Sequence, residues 1–185
     1  MNTELLDGLM LGDGGLQSRS IISARFGHSC AKKSYLEKIA KEIPYESKIH
    51  QSLDGIKKNI FYRLTTKDYH DLKEQHIRWY GNGNKKIVPE NVIISPKSIQ
   101  LWYVGDGWFK KEKRSPNISV SGNTKDKQIF LMSKLKEEGI NVSLYNYERD
   151  AGRFYVLRDS TQRFFDYMGK CLYEEYRYKF PEEYW

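Results

Sequence analysis

Two aspartates in this chain stand in matching surroundings. Asp13 closes the stretch Leu6-Asp7-Gly8-Leu9-Met10-Leu11-Gly12-Asp13-Gly14, and Asp106 closes Ile99-Gln100-Leu101-Trp102-Tyr103-Val104-Gly105-Asp106-Gly107. Both stretches are largely apolar and end in Gly-Asp-Gly. One such ending is ordinarily a helix stop and a turn. A pair of them supplies two hard oxygen donors, which suits a divalent cation. The acids are 93 residues apart, and Lys86 with Lys179 and Tyr80 with Tyr173 keep that spacing. Phe61-Tyr62-Arg63-Leu64 and Phe154-Tyr155-Val156-Leu157 keep it as well. The ungapped register predicts an internal repeat, one unit per half of the chain.

The elements that must position these residues follow from periodicity and punctuation. Asn2 or Thr3 can cap a first helix running to about Gly12, with Leu5, Leu6, Leu9 and Met10 on one side. Gly8 and Gly12 lie one turn apart. Two glycines in one short helix, each costing about 1 kcal/mol relative to alanine, imply close approach of another backbone. Segments 16–22 and 24–29 read as a hairpin, 32–43 as a helix ended by Pro44, and 45–53 with 59–65 as a hairpin around Asp54-Gly55. Thr66 is expected to cap a helix over 67–80. Ser95-Pro96 opens the second motif helix, after which strands 108–113 and 117–122, a helix over 124–139, strands 142–147 and 153–157 and a last helix repeat the order. The chain thus divides into residues 1–80, a connection over 81–97, and 98–185.

Composition narrows the partners. The 185 residues carry 31 Lys and Arg against 24 Asp and Glu, a formal charge of +7. A basic folded domain favours polyanions, nucleic acid first. Cys30 and Cys171 have no disulfide or zinc spacing, and His28, His50, His70 and His76 form no zinc pattern. No apolar run is long enough to span a membrane, and the N-terminus does not read as a signal peptide. A cytoplasmic or organelle-matrix setting is expected.

At this point the residues resemble the LAGLIDADG homing endonucleases. Leu6–Gly14 and Ile99–Gly107 look like that family's signature helix. The single-chain, two-motif subtype encoded in group I introns has a Lys-Lys-Ile-x-Pro segment before its second motif and a Tyr-Lys-aliphatic segment at its end. Lys85-Lys86-Ile87-Val88-Pro89 and Tyr178-Lys179-Phe180 stand in those places. Three positions depart from the pattern. Asp7 stands where a small residue is common, Leu101 where glycine is common, and Gln100 lies beside it. The helix contact is therefore expected to be asymmetric, with Gly8 and Gly12 receiving Leu101 or Trp102.

The resemblance implies an α+β fold of two pseudo-symmetric αββαββα halves. The motif helices pack at the centre, and the sheets form a saddle over DNA. It implies a monomeric, site-specific endonuclease that hydrolyses one phosphodiester on each strand of a long asymmetric double-stranded target, with water activated by metal. Asp13 and Asp106 would hold two or more Mg²⁺ ions, for which Mn²⁺ could substitute, and the carbonyls of Gly12 and Gly105 could add ligands. Lys86 and Lys179 would sit near the scissile phosphates and orient water or stabilise the pentacoordinate charge. Gln17 and Lys110 would lie nearby. Strand residues should contact DNA. The candidates are Arg19, Arg25, His28, Lys48, His50, Gln51, Lys57, Asn59 and Arg63 in the first half. In the second half they are Lys110, Lys113, Arg114, Asn117, Ser119, Ser121, Tyr145, Tyr147, Arg149 and Arg153. Two alternatives share the fold: an RNA-binding maturase acting on intron RNA, and a DNA-binding protein without catalysis.

Overall fold

A computed structural model describes residues 1–53, 59–110, 115–147 and 151–185. The N-terminal half runs α1 (Thr3–Leu11), β1 (Gly14–Ser18), β2 (Ala24–Cys30), α2 (Lys33–Glu42), β3 (Ser47–Leu53), β4 (Ile60–Thr66) and α3 (His70–Tyr80). The C-terminal half runs α4 (Pro96–Asp106), β5 (Gly107–Lys110), β6 (Ser115–Ser119), α5 (Lys125–Glu137), β7 (Val142–Tyr147), β8 (Ala151–Val156) and α6 (Thr161–Met168), followed by two 3-10 turns. Each half forms one antiparallel four-stranded sheet, in the order β1-β2-β4-β3 and β5-β6-β8-β7. Among the described residues no helix is long and apolar enough to cross a membrane.

Local chemistry sets the helix ends. The Asn2 side chain accepts from Glu4 N at 2.9 Å and so caps α1. Ser95 and Ser98 form a reciprocal capping box at α4, with Pro96 in the first turn. Several boundaries differ from the sequence expectation: β1 ends at Ser18 rather than 22, β6 spans Ser115–Ser119 rather than 117–122, and α3 starts later than Lys67. Thr66 does not cap α3 but stays in β4, where its hydroxyl accepts from Phe26 N and donates to Lys67 O. Tyr69 and Ala24 then exchange backbone hydrogen bonds, and this holds the chain extended until His70.

The ungapped repeat also needs correction. Gly14 faces His28 and His28 faces Leu64 in the first sheet, while Gly107 faces Ile118 and Ile118 faces Phe154 in the second. The helix acids and first strands are thus offset by 93, but β2 and β4 correspond to β6 and β8 at an offset of 90. The counterpart of the buried Phe154 is Leu64, not Phe61. The cause is a shorter first hairpin in the second sheet, whose paired residues close over fewer connecting positions.

The core lies between each sheet and its helices, with α1 and α4 buried side by side at the centre. The departures in the motifs find partners here. Asp7 is wholly buried and takes two hydrogen bonds from the Arg78 guanidinium of α3 and one from Ile93 N. Gln100, its counterpart 93 residues on, donates to Met168 O and Lys170 O and accepts from Leu172 N. Each side chain pins the segment that leaves its own half.

Candidate active site

The motif glycines do three different jobs. At Gly8 a Cβ would lie 2.7 Å from Ser98 Cα, 2.8 Å from Ser98 O and 2.9 Å from Leu101 Cβ, so α1 and α4 meet there backbone to backbone. Leu101 is the bulk received by Gly8, whereas the Trp102 ring turns to Phe154 in its own half. At Gly12 and Gly105 the approach is looser: a Cβ on either would lie 3.5–3.8 Å from its neighbours. Gly14 and Gly107 allow the strands to fold straight back onto the helices. A Cβ would meet Leu9 O at 2.5 Å in one case and Tyr103 O at 2.4 Å in the other.

This packing brings the two acids together. A Cβ on Gly105 would be 3.7 Å from Asp13 Oδ2, and Asp13 and Asp106 line the same cleft, of about 410 Å³. Their environments differ. Asp13 is exposed and Asp106 is half-buried. Burial, reinforced by repulsion from Asp13 and opposed by Lys86 and Lys179, pushes Asp106 up to about 7.

Lys86 and Lys179 occupy equivalent stations. Lys86 Nζ donates to Gly12 O at 2.8 Å and Gly14 O at 3.2 Å. Lys179 Nζ donates to Val104 O at 2.6 Å and Gly105 O at 3.3 Å. Burial lowers both lysines below their ordinary range, while Asp106 and Asp13 pull them back up.

The donor set fits a hard divalent cation. Among the described residues neither carboxylate forms a hydrogen bond or a close ion pair, so all their oxygens are open. Two oxyanions beside each other at the carboxyl ends of two helices oppose both each other and the helix dipoles. The carbonyls of Gly12 and Gly105 already accept from the lysines, and a carbonyl oxygen has a second lone pair. Among the described residues no group of three or more His, Cys, Asp and Glu stands together as a metal site.

Strand parity sorts the expected DNA contacts. Gln17 faces Arg25, His50 faces Arg63 and Lys48 faces Thr65, and all lie on the sheet face away from the core. Arg25 is bound there by Asp68, with Nε to Oδ1 at 2.9 Å and Nη2 to Oδ2 at 3.0 Å. Arg19 lies exposed in the β1–β2 turn, and Asn59 is exposed just before β4. On the second sheet Lys110, Ser119, Tyr145 and Arg153 share the outward face, and Ser121 lines the cleft beside Lys86. Lys57, Lys113, Arg114 and Arg149, and the side chain of Tyr147, lie outside the described residues.

Three expected contacts are buried or have the core-side parity. His28 is 3% exposed on the core face, between Phe26 and Leu64 in parity, with its ring on Tyr35 at 5.5 Å. Burial lowers it to about 4. Gln51 pairs with Tyr62 and has the parity of Ile49 and Leu64, opposite to that of His50, although it is itself exposed near the end of β3. Asn117 has the outward parity but is fully buried, with Nδ2 donating to Ser115 O at 2.8 Å. Parity also brings out candidates absent from the sequence-based set: Ser29 and Thr65 on the first sheet, and Trp108 and Tyr155 on the second. Lys85 and Asn123 line the cleft. Trp108, two residues before Lys110, had a readable signal in that spacing.

Comparisons with known proteins agree with this architecture. The structure of the homing endonuclease I-WcaI bound to its DNA recognition sequence superposes with a TM-score of 0.77 at 18% identity, over 96% of this chain and 84% of that one. I-DmoI in complex with DNA and Mn superposes at 0.56 with 15% identity, over 90% of this chain and 94% of that one. The N-terminal LAGLIDADG domain of DUF199/WhiA superposes at 0.58 with 12% identity, over 94% of this chain and 83% of that one. In sequence, the uncharacterized protein MJ1098 of Methanocaldococcus jannaschii is 36% identical over 77 residues, which cover 40% of this chain but only 30% of that relative. Residues 3–164 match the model of the LAGLIDADG DNA endonuclease family, and the chain belongs to that family.

Proposed function

We propose that the protein is a monomeric, site-specific DNA endonuclease that cuts both strands of a long asymmetric duplex with the help of Mg²⁺. One observation carries this reading. Two carboxylates without hydrogen-bond partners among the described residues stand together at the ends of adjoining helices, each beside a lysine fixed on its own motif carbonyl. The fold neighbours support it, since I-WcaI and I-DmoI are bound to DNA and I-DmoI is described with Mn and with Ca.

Asp13 and Asp106 would hold the cation, with the free lone pairs of Gly12 O and Gly105 O beside them. When bound, Mg²⁺ supplies Lewis acidity at the phosphate and activates water. The lysines do the rest. An ammonium has three N–H donors, and two on each lysine are taken by motif carbonyls. The third remains to hold a phosphate oxygen as charge builds on it. Two unlike sheets in one chain then require two unlike half-sites.

The test is cleavage of a duplex that the protein itself selects from random-sequence DNA, with and without Mg²⁺. Asp13→Asn and Asp106→Asn, singly and together, should keep binding and lose cutting. A wild type that binds but never cuts, or an Asn variant that still cuts, overturns the reading.

A further inference from the structure

The register of the sheets exposes a difference between the halves beside the two acids. In the first sheet the first outward-facing pair after Asp13 is Gly15 opposite Gly27. In the second sheet the corresponding pair is Trp108 opposite Asn117. The glycine pair floors a cavity of about 300 Å³ bordered by Asp13, Gln17 and Arg63. A Cβ on Gly15 would have only Tyr80 Oη near it, at 3.6 Å. In the second sheet that space is filled. The Arg153 guanidinium lies 4.2 Å from the centre of the Trp108 ring, and Asn117 beside them is fully buried with its Oδ1 unpartnered.

Arg63 and Arg153 are counterparts, each in the third-ordered strand and each facing a serine, Ser29 or Ser119. Among the described residues Arg63 makes no hydrogen bond or ion pair. Its guanidinium lies 3.8–3.9 Å from where a Gly27 Cβ would be, above the open floor. Arg153 instead lies over an indole, a favourable cation–π placement.

We propose that Trp108 is a specificity-determining residue: by occupying the floor beside Asp106 and holding Arg153, it makes the second sheet read its innermost base pairs less stringently than the first. This rests on the endonuclease reading for the presence of a DNA target, not for cleavage. An arginine free to approach a base edge makes the bidentate contact to guanine that discriminates most strongly. The glycine cavity gives Arg63 and Gln17 room for that approach. The Trp108–Arg153 stack keeps a base edge farther away and offers it an apolar plane, to which any base can conform.

The test uses two reciprocal variants, Gly15→Trp and Trp108→Gly, in the full chain. Wild-type protein in Ca²⁺ buffer first selects a duplex from a random-sequence library. Dissociation constants are then measured for that duplex and for each single base-pair change across the innermost positions of both half-sites. Gly15→Trp should reduce discrimination at one half-site by about fivefold or more, the value of one lost bidentate contact. Trp108→Gly should raise it at the opposite half-site. Unchanged discrimination in both variants, or effects at the same half-site, overturns the inference. If Trp108→Gly fails to fold, Gly15→Trp decides alone, because its added side chain enters open space. If wild type enriches no duplex, DNA recognition itself fails, a result distinct from enrichment without the reciprocal effect.

Discussion

Gly8→Ala tests the helix interface in its most demanding place. Helix propensity favours the substitution by about 1 kcal/mol, since Gly8 lies inside α1. The interface opposes it. The added Cβ would lie 2.7 Å from Ser98 Cα and 2.8 Å from Ser98 O, both backbone atoms, where ordinary contact begins at 3.4 Å. No rotamer change relieves a backbone contact, so α1 and α4 must part by several tenths of an ångström. Overpacking of this kind costs about 1–3 kcal/mol, and the upper end applies here because two of the three contacts cannot move independently. The net expectation is a loss of about 1–2 kcal/mol, or roughly 2–8 °C in Tm for a domain of this size. Gly105→Ala supplies the control on the facing helix. Its Cβ meets nothing closer than 3.5 Å, so the propensity gain should survive and leave the protein as stable as wild type or more so. Thermal and urea denaturation of both variants give opposite signs if the packing is as described. A Gly8→Ala protein no less stable than wild type would refute backbone-to-backbone packing at this height.

Three further outcomes are expected. Asp7→Asn removes the charge from a buried, doubly bonded pair with Arg78 and should cost about 3–5 kcal/mol by urea denaturation, because the guanidinium keeps its charge with no anion to match it. His28 is lowered to about 4 from 6.5, so between those pH values the unfolded chain takes up a proton that the folded one refuses. Stability should fall on acidification through that window, and denaturation of His28→Phe at pH 7 and pH 4.5 should show a smaller fall. Asp106 is raised to about 7 from 3.8, so without metal the folded chain holds the proton better and stability declines as pH rises through that interval. Thermal shift should show Mg²⁺ stabilising wild type more at pH 8 than at pH 6, and Asp106→Asn should show little response at either.

How much of this was legible in the sequence depended on how local the determining signal was. That Asp13, Asp106, Lys86 and Lys179 stand together was readable because a motif repeated at fixed spacing needs no knowledge of contacts. The same spacing failed for Phe61 and Phe154, since hairpin length shifts strand register without disturbing the helices. His28 was misjudged although Ala24, Phe26 and His28 share one parity; a polar type outweighed the alternation. The roles of Asp7 and Gln100 were not readable, because Arg78 and Leu172 lie more than 70 residues from them. Burial of Asn117 was not readable, because its cross-strand neighbours Trp108 and Tyr155 come from two other strands.

The site lysines show why the fold cannot be separated from the chemistry it places. Lys86 rides on the connecting segment, which reaches across to α5 through the Glu90–Lys127 ion pair. Lys179 rides on the C-terminal segment, which reaches back to α2. There Tyr173 and Tyr176 pack edge-on against Tyr35 at 4.8 and 5.2 Å, and Glu175 lies 3.8 Å from Lys38. Exposed ion pairs contribute about 0–1 kcal/mol, whereas each edge-to-face ring pair adds about 0.5–1.5 kcal/mol beyond its buried area. The C-terminal strap is therefore held chiefly by its tyrosines. Lys179 Nζ also lies 5.2 Å from the centre of the Tyr176 ring, so Tyr35, a residue of the N-terminal half, fixes the ring against which the C-terminal lysine rests. Parting the halves would withdraw that support from Lys179 as well as separate Asp13 from Asp106. Assembly of the interface and alignment of the charges are thus one event, built on residues none of which carries the charge itself.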